Sequence, residues 1–502
     1  MEQGVSEVLL ITRSIKNAFV PINQVPPEVL ATIPDYCDAD KELVALTHVC
    51  SGWREHFISR SALWASLDCR DAEQTRVYLE RSRASPLQLR LGEEGYAAVS
   101  NDALLLTIPH IGRLKALVLS GLSRNVLKLI EPFDSPVLHL EKLEISVSGL
   151  HLTAAGSTFF DRNLSSLREL RLSGVLTDLP WRNLTNLTTF DFRRVPGNKV
   201  PMTQLLDFFE HTPLLREIKL MNSLPDSSDA ATGRVVSLPH LKLLIIHARS
   251  AHPILLDHLR IPIGALVTLG SSFRGERSPI SDYSPVSLDN LRNLSHITSV
   301  NLDFNFNSGM AMRLKGPSGG LYMFGTPIDM NLVLPIVEHR ILRSLDTFRI
   351  STVRRLAVTQ YNGLTHSKTE ESGAYQTLFP MNDLHTLTLT DCLNLSFISS
   401  LNPDRNPTNT VVCPKLEELI VHNWLRWGES YIDELLEMAK ERALRGAKLS
   451  TVVIVYPREL PVESVSELRS YVSRVEYRLD GEPPRWDAIP GEVNEIDNFD
   501  DW

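Results

Sequence analysis

One pattern recurs along most of this chain and limits its fold more than any other feature. It is L-x-x-L-x-L, with Ile, Val or Phe substituting for leucine. It occurs at Leu114/Leu117/Leu119, Leu140/Leu143/Ile145, Leu167/Leu170/Leu172 and Leu187/Phe190/Phe192, and again at Leu215/Ile218/Leu220, Leu241/Leu244/Ile246 and Ile297/Val300/Leu302. Four further copies begin at Leu345, Leu384, Leu416 and Leu449. Successive first positions in the opening stretch are 26, 27, 20, 28 and 26 residues apart. Residues two apart in a strand share a face, so the last two apolar positions of each copy point inward together. One such strand cannot bury its apolar face, but stacked copies form a parallel sheet over a continuous core. The expected fold class is therefore α/β, an irregular solenoid with a curved parallel sheet.

The period is that of leucine-rich repeats, roughly 20–29 residues. The return segments carry helical spacing, as in Pro201–Phe209, which ends before Pro213, and Tyr431–Arg445. The asparagine or cysteine that usually closes such a repeat is present only as Asn305 and Cys392. Residues 303–344 break the period. There Gly316–Gly320 separates two apolar runs and predicts a hairpin near 309–325 that projects from the array. Five Asn-Leu-Ser/Thr sequons, at Asn163, Asn183, Asn186, Asn293 and Asn394, are attributed to this repeat grammar and not to glycosylation.

Residues 21–68 have a different grammar. Pro27 and Glu28 suit a first helical turn, Pro34 stops that helix early, and Asp40 can cap the next. Leu43, Leu46, Cys50, Trp53 and Phe57 then form one apolar stripe at steps of three and four. A segment this short buries little of its own surface, so either the repeats or another protein must cover part of it.

Val25-Pro26-Pro27-Glu28-Val29-Leu30, Asp40–Leu46, His48-Val49-Cys50-Ser51-Gly52-Trp53-Arg54 and Leu63-Trp64 together resemble the F-box. Val25 and Glu42 depart mildly from the usual leucine and aspartate. The likeness covers about 48 residues, and an F-box followed by leucine-rich repeats is a known arrangement. It implies a substrate receptor of an SCF-type ubiquitin ligase. In that family the F-box binds a Skp-type adaptor and, through it, a cullin, while the repeats hold a protein substrate. The matching adaptor-binding positions are Pro26, Pro27, Val29, Leu30, Ile33, Leu43, Leu46, Val49, Cys50, Trp53, Leu63 and Trp64, with Trp53 and Trp64 as the expected anchors. The other reading is a repeat scaffold whose N-terminal helices only cap the solenoid.

Positions flanking the inward residues line the expected concave face: Arg171, Asp191, Arg193, Lys219, Asn301, Asp303, Arg349, Thr388 and His422. Their mixed signs suit a protein partner. Net charge is −9, of which residues 480–502 contribute −7 through eight acids against Arg485, so the near-neutral remainder offers no pull on nucleic acid. That end, with Trp486 and Trp502, reads as an acidic tail.

The expected division is therefore an N-terminal segment (1–20), the helical module (21–68), the repeats (69–479) and the tail (480–502). No run of roughly 18 apolar residues predicts a membrane span, and Val8–Ile11 is too short for a signal peptide, so intracellular residence, in cytoplasm or nucleus, is expected. The five scattered cysteines suit reduced thiols. No catalytic constellation, metal site or cofactor is expected: His252, Asp257 and His258 lack a further partner, and Gly316–Gly320 lacks phosphate-loop spacing.

Overall fold

The computed structural model describes residues 11–12, 15–17, 19–36, 41–92, 99–121, 137–147, 164–174, 184–193, 200–221, 233–248, 254–273, 288–304, 310–327, 345, 348, 350–359, 373–392, 395–422, 430–456 and 462–479. The chain is mixed α/β, its strands mostly parallel. It divides into two compact units, residues 1–219 and 220–502.

The first unit opens with short helices, Pro27–Leu30, Lys41–Leu46 and Ser51–Ser59. Strand β1 (Ser66–Leu67) comes next, then the helix Ala72–Ser82, β2 (Leu87–Gly92), β3 (Leu114–Gly121), β4 (Lys142–Val147), β5 (Glu169–Ser173) and β6 (Thr189–Arg193). β1 through β6 lie side by side in chain order, all parallel. β7 (Glu217–Met221) crosses the division, with the Arg216 and Glu217 amides donating to the Thr188 carbonyl.

Register explains the motif. Leu89, Leu117, Leu143, Leu170 and Phe190 stack in one row, and Leu91, Leu119, Ile145, Leu172 and Phe192 in the next. Every one is buried. The first leucine of each copy does separate work: Leu140, Leu167, Leu187 and Leu215 close tight turns by donating to the carbonyls of Val137, Leu164, Leu184 and Thr212. The residue three before the motif is also buried, apolar in Val137, Leu164 and Leu184 and polar in Thr212, a position that the six-residue pattern does not include. The expected return helix forms as Met202–His211 and drives Phe208 against Phe190, ring centroids 4.5 Å apart.

The second unit contains β8 (Val236–Ser237), β9 (Leu243–Ala248), β10 (Leu259–Arg260), β11 (Leu266–Phe273), β12 (Ser299–Asp303), β13 (Met310–Lys315) and β14 (Gly320–Pro327). After them come β15 (Arg355–Thr359), β16 (Thr386–Thr390), β17 (Glu418–His422), β18 (Thr451–Tyr456) and β19 (Arg474–Leu479). The main order is β9-β11-β14-β13-β12-β15-β16-β17-β18-β19, parallel except at β13. The second predicted return helix forms as Ser430–Leu444.

Two expectations are corrected here. The hairpin does not project: β13 and β14 are inserted into the sheet between β11 and β12. The physical reason is its alternation. Leu321 and Met323 register with Val267 and Leu269, and Leu314 and Met312 with Val300 and Leu302, so the hairpin extends both buried rows. The copy at Leu345/Phe348/Ile350 is not a strand. Leu345 and Phe348 close a turn, Ile350–Thr352 is 3-10 helix, and the strand is β15, where Leu356 and Val358 fill the rows.

Candidate functional site: the N-terminal helical face and the sheet face

The helical module has a core of its own. Leu30, Trp53 and Phe57 are buried together, with Val25, Ile33, Leu46, Cys50 and Leu63 packed round them. Trp53 and Phe57, one turn apart, meet edge to face at 5.7 Å. Cys50 is extended and sits ahead of the helix Ser51–Ser59, where its sulfur accepts from the Trp53 amide at 3.5 Å. Thr47 is buried, and its carbonyl accepts from Arg54 Nε at 3.0 Å, tying one helix end to the next. Burial, with the charge of Arg60, lowers the pKa of His56, while Glu28 opposes.

The twelve positions expected to meet an adaptor therefore separate into three groups. Leu30, Leu43, Trp53 and Trp64 are buried. Ile33, Leu46, Cys50 and Leu63 are half-buried, and Pro26, Pro27, Val29 and Val49 are exposed. Val29 and Val49 stand 51% and 52% exposed, high values for β-branched apolar residues beside a packed core. Ile22, Tyr36 and Val44 are exposed as well. The apolar stripe did not mark them, because each lies off the 43–57 face. Asp40, the expected cap, lies outside the described residues.

The tryptophans expected as interface anchors are core residues instead. Trp64 is wholly buried, and its indole N–H donates to the Phe57 carbonyl at 2.9 Å. Tyr78 meets its ring edge at 5.0 Å and the Arg81 guanidinium lies 4.3 Å over it, both from the helix Ala72–Ser82. The physical reason is the chain's path: two residues beyond Trp64 the chain becomes β1, which pairs with β2, so the indole is trapped at the join. Ser85 bonds Ser61 across the same join at 2.7 Å. Arg113 reinforces it by donating to the carbonyls of Arg83 and Ser85.

On the sheet face of the first unit, Arg171 belongs to a charge network, and Asp191 and Arg193 form a pair of their own. Arg171 pairs with Glu169 at 2.6 Å, and Lys142 reaches both Glu144 and Glu169. Arg193 grips Asp191 through two bonds of 2.8 and 2.7 Å, leaving Asp191 only 2% exposed. Lys219 is half-buried.

In the second unit Asn301 and Asp303 stand half-buried on β12, in register with Arg313 and Ala311. Thr388 and His422 are buried, not solvated. Thr388 is flanked in register by Ala357 and Ile420, and His422 by Thr390 and Val455, so side chains on neighbouring strands cover them. Arg349 lies outside the described residues. The hairpin adds a group not foreseen from sequence, an aromatic row. His247, Phe324 and Tyr322 stack at 6.0 and 5.5 Å, and Arg313 lies 4.8 Å over Tyr322.

Cys392 closes its copy as the pattern requires, its thiol donating to the Val358 carbonyl of β15 at 3.5 Å. Two sequon asparagines serve the same stitching: Asn186 donates to the Ser165 carbonyl, and Asn293, buried, to that of Gly320.

Among the described residues, no group of three or more His, Cys, Asp or Glu is placed to hold a metal ion, and no helix is long and apolar enough to cross a membrane. The chain matches no protein-family model and no curated protein.

Proposed function

We propose that this chain is a non-enzymatic adaptor, an F-box-type module joined to an irregular leucine-rich-repeat solenoid. On this reading the module docks on a Skp-type adaptor, which links it to a cullin, while the repeats recruit a protein for ubiquitination. The observation that carries the reading is the division of the module's apolar residues. Leu30, Trp53 and Phe57 satisfy the internal core, yet Pro26, Pro27, Val29 and Val49 are left facing solvent. Several exposed apolar residues on so small a packed unit are the surface such a module would offer a partner. The transfer chemistry would belong to other subunits, and this chain would supply proximity.

A capping role is favoured by a separate observation, the burial of Trp64 against Tyr78 and Arg81. The two roles use different faces and are compatible. The deciding experiment is co-purification of the full chain with a Skp-type adaptor, comparing wild type with Val29→Glu/Val49→Glu. These exposed changes spare the core, so circular dichroism should be unchanged while capture is lost. A wild-type chain that captures no adaptor sinks the receptor reading and leaves the scaffold.

A further inference from the structure

The inserted hairpin gives the second unit a surface that the regular strands do not have. On the face opposite the buried rows, β14 presents Tyr322 and Phe324, and β13 presents Arg313 and Lys315. Phe324 registers with Gly270 of β11, which registers in turn with His247 of β9. Glycine makes the room: a Cβ at Gly270 would overlap the Phe324 ring and lie 2.7 Å from the His247 ring, so the rings would have to move. Removing that one side chain lets two rings from strands on either side come together above the backbone. The result is a half-buried aromatic shelf, His247–Phe324–Tyr322, with a guanidinium at its end.

Toward the Tyr322 end of the shelf the nearest charges are positive. Lys315 and Arg355 flank Ser299 in register, both are exposed, and neither has an ion pair among the described residues. Arg313 stands one step along the same face. Asp303 is the acid on this face of β12, level with Ala311 and therefore with Phe324, at the end of the shelf away from the basic row. Burial lowers the pKa of His247, so its ring is neutral at physiological pH and the positive character comes from Arg313, Lys315 and Arg355. A ring shelf beside unpaired cations fits a ligand carrying both an aromatic group to stack and carboxylates to pair.

We propose that this face binds an acidic segment of a partner protein, with an aromatic side chain of that segment stacked on Tyr322 and Phe324 and its carboxylates on Arg313, Lys315 and Arg355. The inference deepens the adaptor reading by giving the chemistry of the recruited segment, and rests on that reading only for the fate of the bound protein. The probe is a short fluorescein-labelled peptide of glutamates around one tryptophan, titrated by anisotropy against the full chain. Binding should weaken about tenfold or more in Lys315→Glu/Arg355→Glu, weaken further with added salt, and weaken when leucine replaces the peptide's tryptophan. Tyr322→Leu should lose the tryptophan preference while keeping the salt dependence.

Equal binding of a lysine-for-glutamate peptide, or unchanged affinity in the charge-reversed variant, overturns the proposal, as does no binding at all. Binding seen only when Trp486→Ala/Trp502→Ala is introduced in the full chain would assign the face to the chain's own acidic end, and overturns an external partner. Skp-type adaptor capture is scored on the same variants and should not change. Its failure in wild type would count against the adaptor reading and not against this face.

Discussion

Replacing Trp64 by phenylalanine tests whether this residue is a joint or an interface anchor. The indole is fully buried and donates to the Phe57 carbonyl at 2.9 Å. Phenylalanine keeps a ring but removes one of that carbonyl's two donors, the Arg60 amide at 3.3 Å remaining, a loss of about 0.5–1.5 kcal/mol. The smaller ring also leaves space beside Tyr78, which adds about 1 kcal/mol. The Arg81 contact weakens by about 0.5 kcal/mol, since phenylalanine is the poorer cation–π partner. The expected cost is therefore about 2–3 kcal/mol, concentrated at the join of module and sheet. Because two compact units need not unfold together, global melting is the wrong assay. Amide hydrogen exchange by mass spectrometry reads the join directly: amides of β1 and β2 should exchange about a hundredfold faster. A rise of less than about tenfold, combined with lost capture of a Skp-type adaptor, would refute the argument and return Trp64 to the interface.

Buried groups elsewhere give three more expected outcomes. Arg442 is wholly buried and donates to the carbonyls of Val412 and Cys413 at 2.6 and 2.9 Å, so Arg442→Leu should destabilise the second unit by about 2–4 kcal/mol, read by faster amide hydrogen exchange in the helix Ser430–Leu444 and in β17. Burial first, and then the charge of Asp68, push the Cys69 thiol from its ordinary 9.0 up to about 12. The folded chain thus holds this proton more tightly than the unfolded chain. Its contribution is complete below pH 9 and is lost as pH rises toward 12. Cys69→Ala should therefore lose less stability than wild type between those values, measured by alkaline unfolding. With a soluble alkylating agent at neutral pH, half-buried Cys50 should be labelled before Cys69 and Cys413, both buried with thiols raised to about 12. Mass spectrometry of the labelled peptides decides the order.

Much of the sheet could be read directly from the leucines, because a period-two strand leaves little choice about which residues face inward. The copies at Leu117, Leu143, Leu170, Leu387 and Leu419 fall in the buried rows. Where the reading failed, another physical constraint had substituted for the pattern. β11 begins beyond Gly264 and Ala265 with no leading leucine, yet Val267 and Leu269 fill the rows all the same. Leu345/Phe348/Ile350 matched the spacing, but spacing alone does not distinguish a turn closed by Phe348 from a strand. The hairpin is legible in its alternation but its place in the sheet is not, because pairing partners far apart in sequence leave no local trace. In the module, residue types suggested that tryptophans anchor the partner. Trp64, just ahead of β1, and Trp53, packed with Leu30 and Phe57, are core, and the exposed positions are the smaller Val29 and Val49.

That exchange of roles bears on how an adaptor of this kind would work. A receptor that acts by proximity must hold its two binding faces at a fixed separation, or the advantage of holding reactants together is lost to chain motion. A flexible linker after the module would forfeit it. Here the module's last turn, Ser61–Trp64, runs directly into β1, and the join is secured by the Trp64–Phe57 bond, the Arg81 contact, the Ser61–Ser85 bond and Arg113. Fully buried Trp64 adds an aromatic payload that no surface hydrogen bond could match. On the adaptor reading, the largest side chain of the motif is therefore better used inside the joint than on a partner: it ties the module to the strand β1, and would leave small apolar residues to do the docking.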